Sequence, residues 1–251
     1  MKLGVFGGGF KPFTTGHMSK LSLALQENDK VIFFYSTVSR QKGSQFVYTQ
    51  TMAEEIFNIV SSALKRTYGD KILINPLRPG PEGIAESTPI GETFKVIEYV
   101  AMDDPQMTVD YGVNPSNISQ ITIYSDPRDI KSFTRNIGTP SEEKYFGDLV
   151  QTGRLKFDSG LTDDGSIDRM ISSMENLYPG SSKEELTPLI NVRGTEVRSC
   201  AVEGRCEDLR RYLPDFLNTE EKNRIIEIMS SGQKLTSESL LRAFIRTRLV
   251  G

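Results

Sequence analysis

Residues 7–17 read Gly7-Gly8-Gly9-Phe10-Lys11-Pro12-Phe13-Thr14-Thr15-Gly16-His17, a glycine-rich turn between two patterned segments. Residues 2–7 before it are typical of a short buried strand. Residues 17–27 after it carry apolar side chains at helical spacing. Because ligands of open α/β sheets bind at the carboxyl ends of the strands, this strand–turn–helix unit indicates both a fold class and a first candidate site.

The same alternation of strand and helix continues along the chain. The segments predicted as strands are residues 2–7, 29–38, 71–75, 118–124 and 155–158. The segments predicted as helices between them are residues 17–27, 49–65 and 89–102. The continuous apolar centre of residues 29–38 indicates a sheet that is covered on both faces. This order of elements favours an α/β protein with a Rossmann-like, doubly wound parallel sheet, inserted loops and C-terminal helices.

Longer polar stretches interrupt the pattern. We predict inserts at about residues 76–115 and 131–185. Within them, residues 103–115 are polar and turn-rich, and residues 131–153 and 162–183 are typical of long loops with short helices. After residue 209 the sequence predicts helices at residues 219–229 and 237–249. We therefore expect a Rossmann-like domain over residues 1–204 and a C-terminal helical segment, residues 205–251, packed on it.

Composition excludes several classes of protein. The 251 residues carry 30 Lys and Arg against 33 Asp and Glu, a net charge of -3, which argues against a generally basic nucleic-acid coat protein. No apolar run approaches the roughly 20 residues of a membrane span. One histidine excludes a multi-histidine metal cage, and two cysteines give no disulfide framework. We expect a cytoplasmic protein without a membrane or nucleic-acid partner. The sequence leaves open whether the protein forms homo-oligomers.

The turn does not fit the commonest phosphate-binding motifs. A Gly-x-Gly-x-x-Gly motif starting at Gly7 would need glycine at Pro12, and no Gly-x4-Gly-Lys-Ser/Thr sequence is present. A helix N-terminus still offers N–H groups to a phosphate, and glycines let the backbone approach it. The candidate residues of this turn are Gly7, Gly8, Gly9, Phe10 and Gly16 for nucleotide binding, with Lys11, Thr14 and His17 as donors. The ordinary alternative is a tight turn with a half-buried histidine.

A second motif, Asn191-Val192-Arg193-Gly194-Thr195-Glu196-Val197-Arg198, lies near the other end of the pattern. Residues 189–192 look like a strand, and Thr195 is a good N-cap for a helix to about Glu203. Arg198 is then one turn into that helix, where it could pair with a phosphate. The ordinary alternative is a capped helix with a surface arginine.

Two further places carry weaker signals. Ser125 and Asp126 directly follow a predicted strand, and Arg128 comes next in the same turn. Arg40 and Lys42 follow the second predicted strand. Both positions lie at the carboxyl edge of the sheet, where ligands bind. A solvated charged turn explains the first position equally well and the second slightly better.

The two motifs together resemble those of the nucleotidyltransferase superfamily. Residues 9–17 are similar to its Thr/His-x-Gly-His signature, and residues 191–198 to its Ile-Ser-Ser/Gly-Thr-x-x-Arg signature. The Lys11-Pro12-Phe13 variant, with Glu203-Gly204 and Leu213-Pro214, is most similar to archaeal-type nicotinamide mononucleotide adenylyltransferases. The resemblance covers about residues 1–40 and 118–230. Arg193 stands where the family has serine, no arginine is found near Met52, and the inserts are longer.

The resemblance implies a reaction and a set of roles. A phosphate-bearing acceptor would attack the α-phosphorus of a nucleoside triphosphate, ATP, and release pyrophosphate, with Mg²⁺ bound to the triphosphate. His17 would donate to the α-phosphate, Lys11 would bridge acceptor and α-phosphate, and Thr14 would bind phosphate or orient the acceptor. Thr195 and Arg198 would hold the β- and γ-phosphates. The remaining implied contacts are Arg193, Ser125 and Asp126 with the nucleotide, and Arg40, Lys42 and Arg128 with the acceptor.

Three functions remain open at this stage. The first is an adenylyltransferase that makes NAD from nicotinamide mononucleotide. The second is a cytidylyltransferase or phosphopantetheine-type adenylyltransferase with another phosphorylated acceptor. The third is a nucleotide-binding or assembly protein without turnover.

Overall fold

A five-stranded parallel sheet forms the centre of the protein. The computed structural model describes residues 1–38, 48–77, 87–125, 130, 146–158, 164–175 and 177–231. The strands are β1 (Lys2–Gly8), β2 (Lys30–Ser36), β3 (Ile72–Leu77), β4 (Gln120–Tyr124) and β5 (Leu155–Asp158), in the order β3-β2-β1-β4-β5. The predicted Rossmann-like α/β class is confirmed. The chain order reverses between β1 and β4, the place where open sheets of this kind bind ligands.

Helices cover the sheet and extend beyond it. They are α1 (Thr15–Glu27), α2 (Gln50–Tyr68), α3 (Pro89–Met102), α4 (Gln106–Tyr111), α5 (Asp148–Gln151), α6 (Asp164–Glu175), α7 (Lys183–Ile190), α8 (Gly194–Val202), α9 (Cys206–Tyr212) and α10 (Thr219–Ser231). Short 3-10 turns at Gly69–Lys71 and Pro115–Asn117 precede β3 and β4.

The strands bury alternate side chains on opposite faces of the sheet. On β2, Phe33 and Tyr35 belong to the apolar cluster that includes α1 and α2, whereas Ile32 and Phe34 belong to the cluster that includes α3. Side chains of a strand point to alternate faces, so a strand buried on both sides must be apolar throughout. Burial on both faces of the sheet therefore explains the uninterrupted apolar run within residues 29–38.

Two stretches of the predicted inserts are more helical than expected. Residues 103–115 contain α4, and residues 162–183 contain α6. Helix α6 is amphipathic, with Met170 and Met174 fully buried, and it packs on α1 through a hydrogen bond from the Ser22 hydroxyl to the Ser173 carbonyl (2.6 Å). Tertiary burial of one apolar face, rather than local composition, therefore stabilises this helix.

The C-terminal part of the chain is helical as far as the structure describes it. The helix predicted at residues 219–229 is confirmed as α10. Its Glu221 receives two hydrogen bonds from Arg66 of α2, at 2.8 and 3.0 Å, so α10 lies against the Rossmann-like part. The helix predicted at residues 237–249 lies outside the described residues. The boundary at residue 204 stays a prediction.

Candidate functional site

The two motifs meet at the carboxyl edge of the sheet. The Arg198 guanidinium donates to the Lys11 carbonyl (2.5 Å), and the Thr15 hydroxyl donates to the Leu189 carbonyl (3.0 Å). The Thr14 hydroxyl lies 3.1 Å from the Val192 carbonyl. These bonds join segments that are 174 to 187 residues apart in sequence. The turn before α1 and the turn before α8 therefore form one continuous surface.

Two glycines allow this close approach. A Cβ atom on Gly16 would lie 2.5 Å from the Val192 carbonyl oxygen and 2.7 Å from that of Ile190. A Cβ atom on Gly194 would lie 2.9 Å from the Lys11 carbonyl oxygen. The obstructing atoms are backbone, which cannot rotate away. The contact between the two turns, at which Gly16 meets Val192 and Gly194 meets Lys11, is called the joint between the motifs. Its packing requires glycine in each motif.

His17 is held by the turn that starts its own helix. Thr14 is the N-cap of α1, and its backbone N–H donates to His17 Nδ1 at 3.0 Å. The imidazole is half-buried between Phe10 and Phe13, with ring centroids 4.9 and 5.7 Å away. Because a backbone amide can only donate, Nδ1 is an acceptor, and a neutral ring carries its proton on Nε2.

Lys11 is buried, with 6% of its surface exposed. Its ammonium donates to the carbonyl of Val38, just beyond the end of β2. Its side chain therefore reaches from the first motif to the carboxyl end of the neighbouring strand. Arg40 and Lys42, the weak acceptor-binding candidates after β2, lie outside the described residues.

The second motif is built differently from the prediction. Residues 189–192 are not a strand, since α7 runs to Ile190, and the N-cap of α8 is Arg193 rather than Thr195. The signal that reveals α7 is the Ser182-x-x-Glu185 capping box, in which the two residues satisfy each other's backbone N–H groups. In α8 the Glu196 carboxylate accepts the Arg193 backbone N–H at 2.8 Å.

The functional candidates of the second motif lie in the first turn and a half of α8. Thr195 and Arg193 are exposed, and Arg198 is half-buried. The Arg198 guanidinium donates to the Thr195 hydroxyl at 3.2 Å as well as to the Lys11 carbonyl. These bonds hold its charge at the joint between the motifs.

Two tyrosines beneath this joint were missed by sequence reasoning. Tyr35 and Tyr48 are fully buried, and burial raises the pKa of both hydroxyls. The neighbouring Tyr35 also raises the pKa of Tyr48, whereas the positive charge of Arg198 acts to lower it. Arg198 therefore lies close enough to influence Tyr48. No local pattern distinguishes these side chains from ordinary core tyrosines.

A cavity of about 190 Å³ opens beside the glycine triplet, at the point where the chain order reverses. Its lining comes from the end of β1, the end of β4 and the start of α3: Gly7, Gly8, Gly9, Thr88, Pro89, Ile90, Thr93, Ile123, Tyr124 and Ser125. The structure thus places Ser125 together with the triplet. Asp126 and Arg128 lie outside the described residues. The threonines of α3 were not anticipated from the sequence.

The three glycines of the triplet have different surroundings. A Cβ atom on Gly7 would meet Pro89, and one on Gly8 would meet the Phe10 ring at 2.5 Å. A Cβ atom on Gly9 would meet nothing within 4 Å. Phe10 is therefore part of the core that closes the turn, as its 4% exposure also indicates.

Among the described residues, no group of three or more His, Cys, Asp or Glu side chains is arranged to hold a metal ion. None of the helices in that part of the chain is long and apolar enough to cross a membrane.

Comparisons with known proteins give only distant structural similarity. No family model and no curated protein matches the sequence. A solved structure described as a putative nicotinate-nucleotide adenylyltransferase from Vibrio parahaemolyticus is 13% identical, with a TM-score of 0.46 over 90% of this chain and 98% of that one. Thermotoga maritima TmcAL, bound with alpha-thio ATP, is 18% identical, with a TM-score of 0.39 over 90% of this chain and 55% of that one. Likeness at this level carries no conclusion about activity.

Proposed function

We propose that the protein is a nucleotidyltransferase that moves AMP from ATP to a phosphate-bearing acceptor and releases pyrophosphate. We further propose that the acceptor is nicotinamide mononucleotide and the product NAD. The observation that supports this is the meeting of the two motifs, which gathers Lys11, His17, Thr195 and Arg198 at the N-termini of two helices. Two helix N-termini and three basic side chains form a suitable cradle for a triphosphate.

The reaction needs no covalent enzyme intermediate. An oxygen of the acceptor phosphate attacks the α-phosphorus of ATP, the bond from that phosphorus to the bridging oxygen breaks, and pyrophosphate leaves. Catalysis then consists of positioning the reactants and stabilising the negative charge that develops in the transition state.

His17 is proposed as the main donor to the α-phosphate. With Nδ1 accepting the Thr14 backbone N–H, Nε2 of the neutral ring is a donor. Donors that are already aimed at developing charge account for much of the rate enhancement in such reactions. Lys11 is proposed to bridge the acceptor phosphate and the α-phosphate from its buried position between β1 and β2.

Thr195 and Arg198 are proposed to hold the β- and γ-phosphates at the start of α8. A guanidinium has five N–H donors, so Arg198 can bind phosphate oxygens while it keeps its bond to the Lys11 carbonyl. Arg193 is exposed at the N-cap of the same helix and is proposed to add a contact where the family signature has serine.

Mg²⁺ is proposed to arrive with ATP as part of the substrate. The described residues supply no carboxylate cluster for a resident ion. Mg²⁺ in such complexes is bound mainly by phosphate oxygens and water, so a protein cage is not needed.

The cavity beside the glycine triplet is proposed to receive the ring system of one substrate. Ser125, Thr88 and Thr93 offer hydroxyl groups there, and Pro89, Ile90 and Ile123 offer apolar surface. Such a mixture suits a planar heterocycle with a few polar substituents. Asp126, Arg128, Arg40 and Lys42 remain proposed contacts to the nucleotide or acceptor from neighbouring segments.

The test is pyrophosphate release in the presence of Mg²⁺ with ATP, CTP, GTP or UTP, each without an acceptor, with nicotinamide mononucleotide, and with a sugar- or alcohol-phosphate. We expect release only with ATP plus nicotinamide mononucleotide, and NAD as the product. Release with CTP and a sugar- or alcohol-phosphate would replace this proposal with the cytidylyltransferase. Tight nucleotide binding without turnover on any phosphorylated acceptor would replace it with the binding or assembly protein.

A further inference from the structure

Thr14 occupies the first position of the Thr-x-Gly-His sequence, yet it is fully buried, with 0% of its surface exposed. Its carbonyl accepts the backbone N–H groups of His17 (3.0 Å) and Met18 (2.9 Å). Its own N–H donates to His17 Nδ1 at 3.0 Å. Each backbone polar group of this residue is thus engaged in a hydrogen bond inside the protein.

The hydroxyl of Thr14 is engaged as well. Oγ1 lies 2.9 Å from His17 Nδ1 and 3.1 Å from the Val192 carbonyl. Its single proton can go to either acceptor, so this one atom joins the imidazole of the first motif to the backbone of the second. The joint is completed by Gly16, which lies directly against the same Val192 carbonyl.

We propose that Thr14 is a positioning residue that acts through His17 and does not contact phosphate. Its N–H donates to Nδ1, which keeps the neutral ring protonated on Nε2, and its hydroxyl lies against Nδ1 and fixes the direction of the ring. Val192 in turn fixes the hydroxyl, so the second motif orients the histidine of the first. The relevance of this arrangement to catalysis rests on the proposed function, but the ring geometry itself does not.

The chain contains a single histidine, which makes the test direct. Uniformly ¹⁵N-labelled protein is examined by long-range ¹H–¹⁵N correlation at about pH 8, above the ordinary histidine pKa of about 6.5. We expect the wild-type ring as the Nε2–H tautomer alone. Thr14→Ser retains the hydroxyl and should retain that spectrum, whereas Thr14→Val should move the Nδ1 frequency because Nδ1 loses the hydroxyl.

Either of two results would overturn the proposal. One is an Nδ1–H tautomer in the wild-type protein. The other is a folded Thr14→Val variant whose histidine spectrum matches the wild type. Should Thr14→Val fail to fold, the wild-type spectrum and Thr14→Ser still decide the matter, because a protonated Nδ1 in either one contradicts the geometry.

Kinetics then separates a positioning role from a phosphate contact. For Thr14→Val we expect kcat to fall about tenfold or more while the ATP dissociation constant stays within about twofold, since a misaligned donor affects the transition state and not the ground state. Thr14→Ser should recover most of the rate. A comparable loss of ATP affinity would mark Thr14 as a phosphate ligand and overturn the proposal. If the wild type itself shows no turnover, the proposed function fails while the histidine spectra still test the inference.

Discussion

The two helices that meet at the site begin in contrasting environments. Every residue from Phe10 to Gly16, before and into α1, is buried, and the cap of that helix comes from Thr14 and His17. At the start of α8, by contrast, Arg193, Thr195 and Glu196 are exposed, and a surface carboxylate makes the side-chain bond to the N-cap. The turn before α1 is therefore part of the core. The turn before α8 lies at the surface and contacts the first turn through Gly194 and Arg198.

Because of this difference in burial, the first turn is suited to positioning side chains, and the start of α8 is suited to binding a ligand. Residues of the first turn are constrained by packing, so their substitution is expected to disturb folding and site geometry together. Residues at the start of α8 are constrained mainly where Gly194 and Arg198 touch Lys11. Arg193 is exposed there, so packing does not dictate which side chain stands at that position.

The largest expected effect comes from removing the proposed donor of the first turn. His17→Ala should lower pyrophosphate release by about 10²- to 10³-fold, the usual loss when one transition-state donor is removed. ATP affinity, measured by calorimetry, should change by less than about threefold. Unaltered turnover in this variant would show that the first motif holds its helix and does no chemistry.

Gly16→Ala tests how tightly the turns are joined. Its Cβ atom would be 2.5 Å from one backbone carbonyl oxygen and 2.7 Å from another. Overpacking of this kind costs about 1–3 kcal/mol, and more where backbone must move. The free energy of unfolding from urea titration should fall by an amount at the upper end of this range, despite the better helix propensity of alanine.

The matched control for that variant is Gly9→Ala, in the same turn. A Cβ atom at Gly9 meets nothing within 4 Å, so its free energy of unfolding should stay within about 0.5 kcal/mol of wild type. Equal losses in both variants would mean that the turn is sensitive to any side chain and would remove the argument for a joint at Gly16.

Gly194→Ala makes the same test from the exposed side. Its Cβ atom would be 2.9 Å from the Lys11 carbonyl oxygen and 3.3 Å from the Arg198 guanidinium. Because α8 begins at the surface, we expect a smaller loss of stability, about 1 kcal/mol, accompanied by weaker ATP binding as Arg198 is displaced. Gly147→Ala, where a Cβ atom meets nothing within 4 Å, is the control. A Gly194→Ala variant with normal ATP affinity would contradict the role given to this joint.

The smallest expected effect lies away from the site, in the insert that carries α4. Asp110 accepts hydrogen bonds from Lys95, Gln106 and Tyr99, and that from Lys95 contributes most to lowering its pKa to about 2. Its carboxylate therefore stabilises the folded state fully above its ordinary pKa of about 4, and this contribution is lost as the pH falls towards 2.

Thermal denaturation checks this contribution. Asp110→Asn should be less stable than wild type by less than about 1 kcal/mol at pH 6, because the pair with Lys95 is partly exposed and screened by solvent. The difference should narrow between pH 4 and pH 2. A difference that stays constant over that interval would show that the amide disturbs the packing of α4 rather than an electrostatic contact.

Local sequence patterns were sufficient to predict the strands of the sheet. The short apolar runs and the helical spacing between them place all five strands, β1 to β5, within a few residues of their observed bounds. The same reasoning gave only short helices where the twelve-residue α6 lies, and it missed α7. Burial against α1 stabilises α6, and the Ser182–Glu185 capping box that starts α7 was overlooked.

The sequence by itself determined the fold class, both motifs and the presence of His17, Lys11 and Arg198 within them, because these follow from spacing along one segment. Only the tertiary structure decided that Thr14 is buried against Val192 and that Gly16 and Gly194 lie against backbone carbonyls. Such contacts join residues far apart in the chain, and their distances depend on how the helices pack against the sheet.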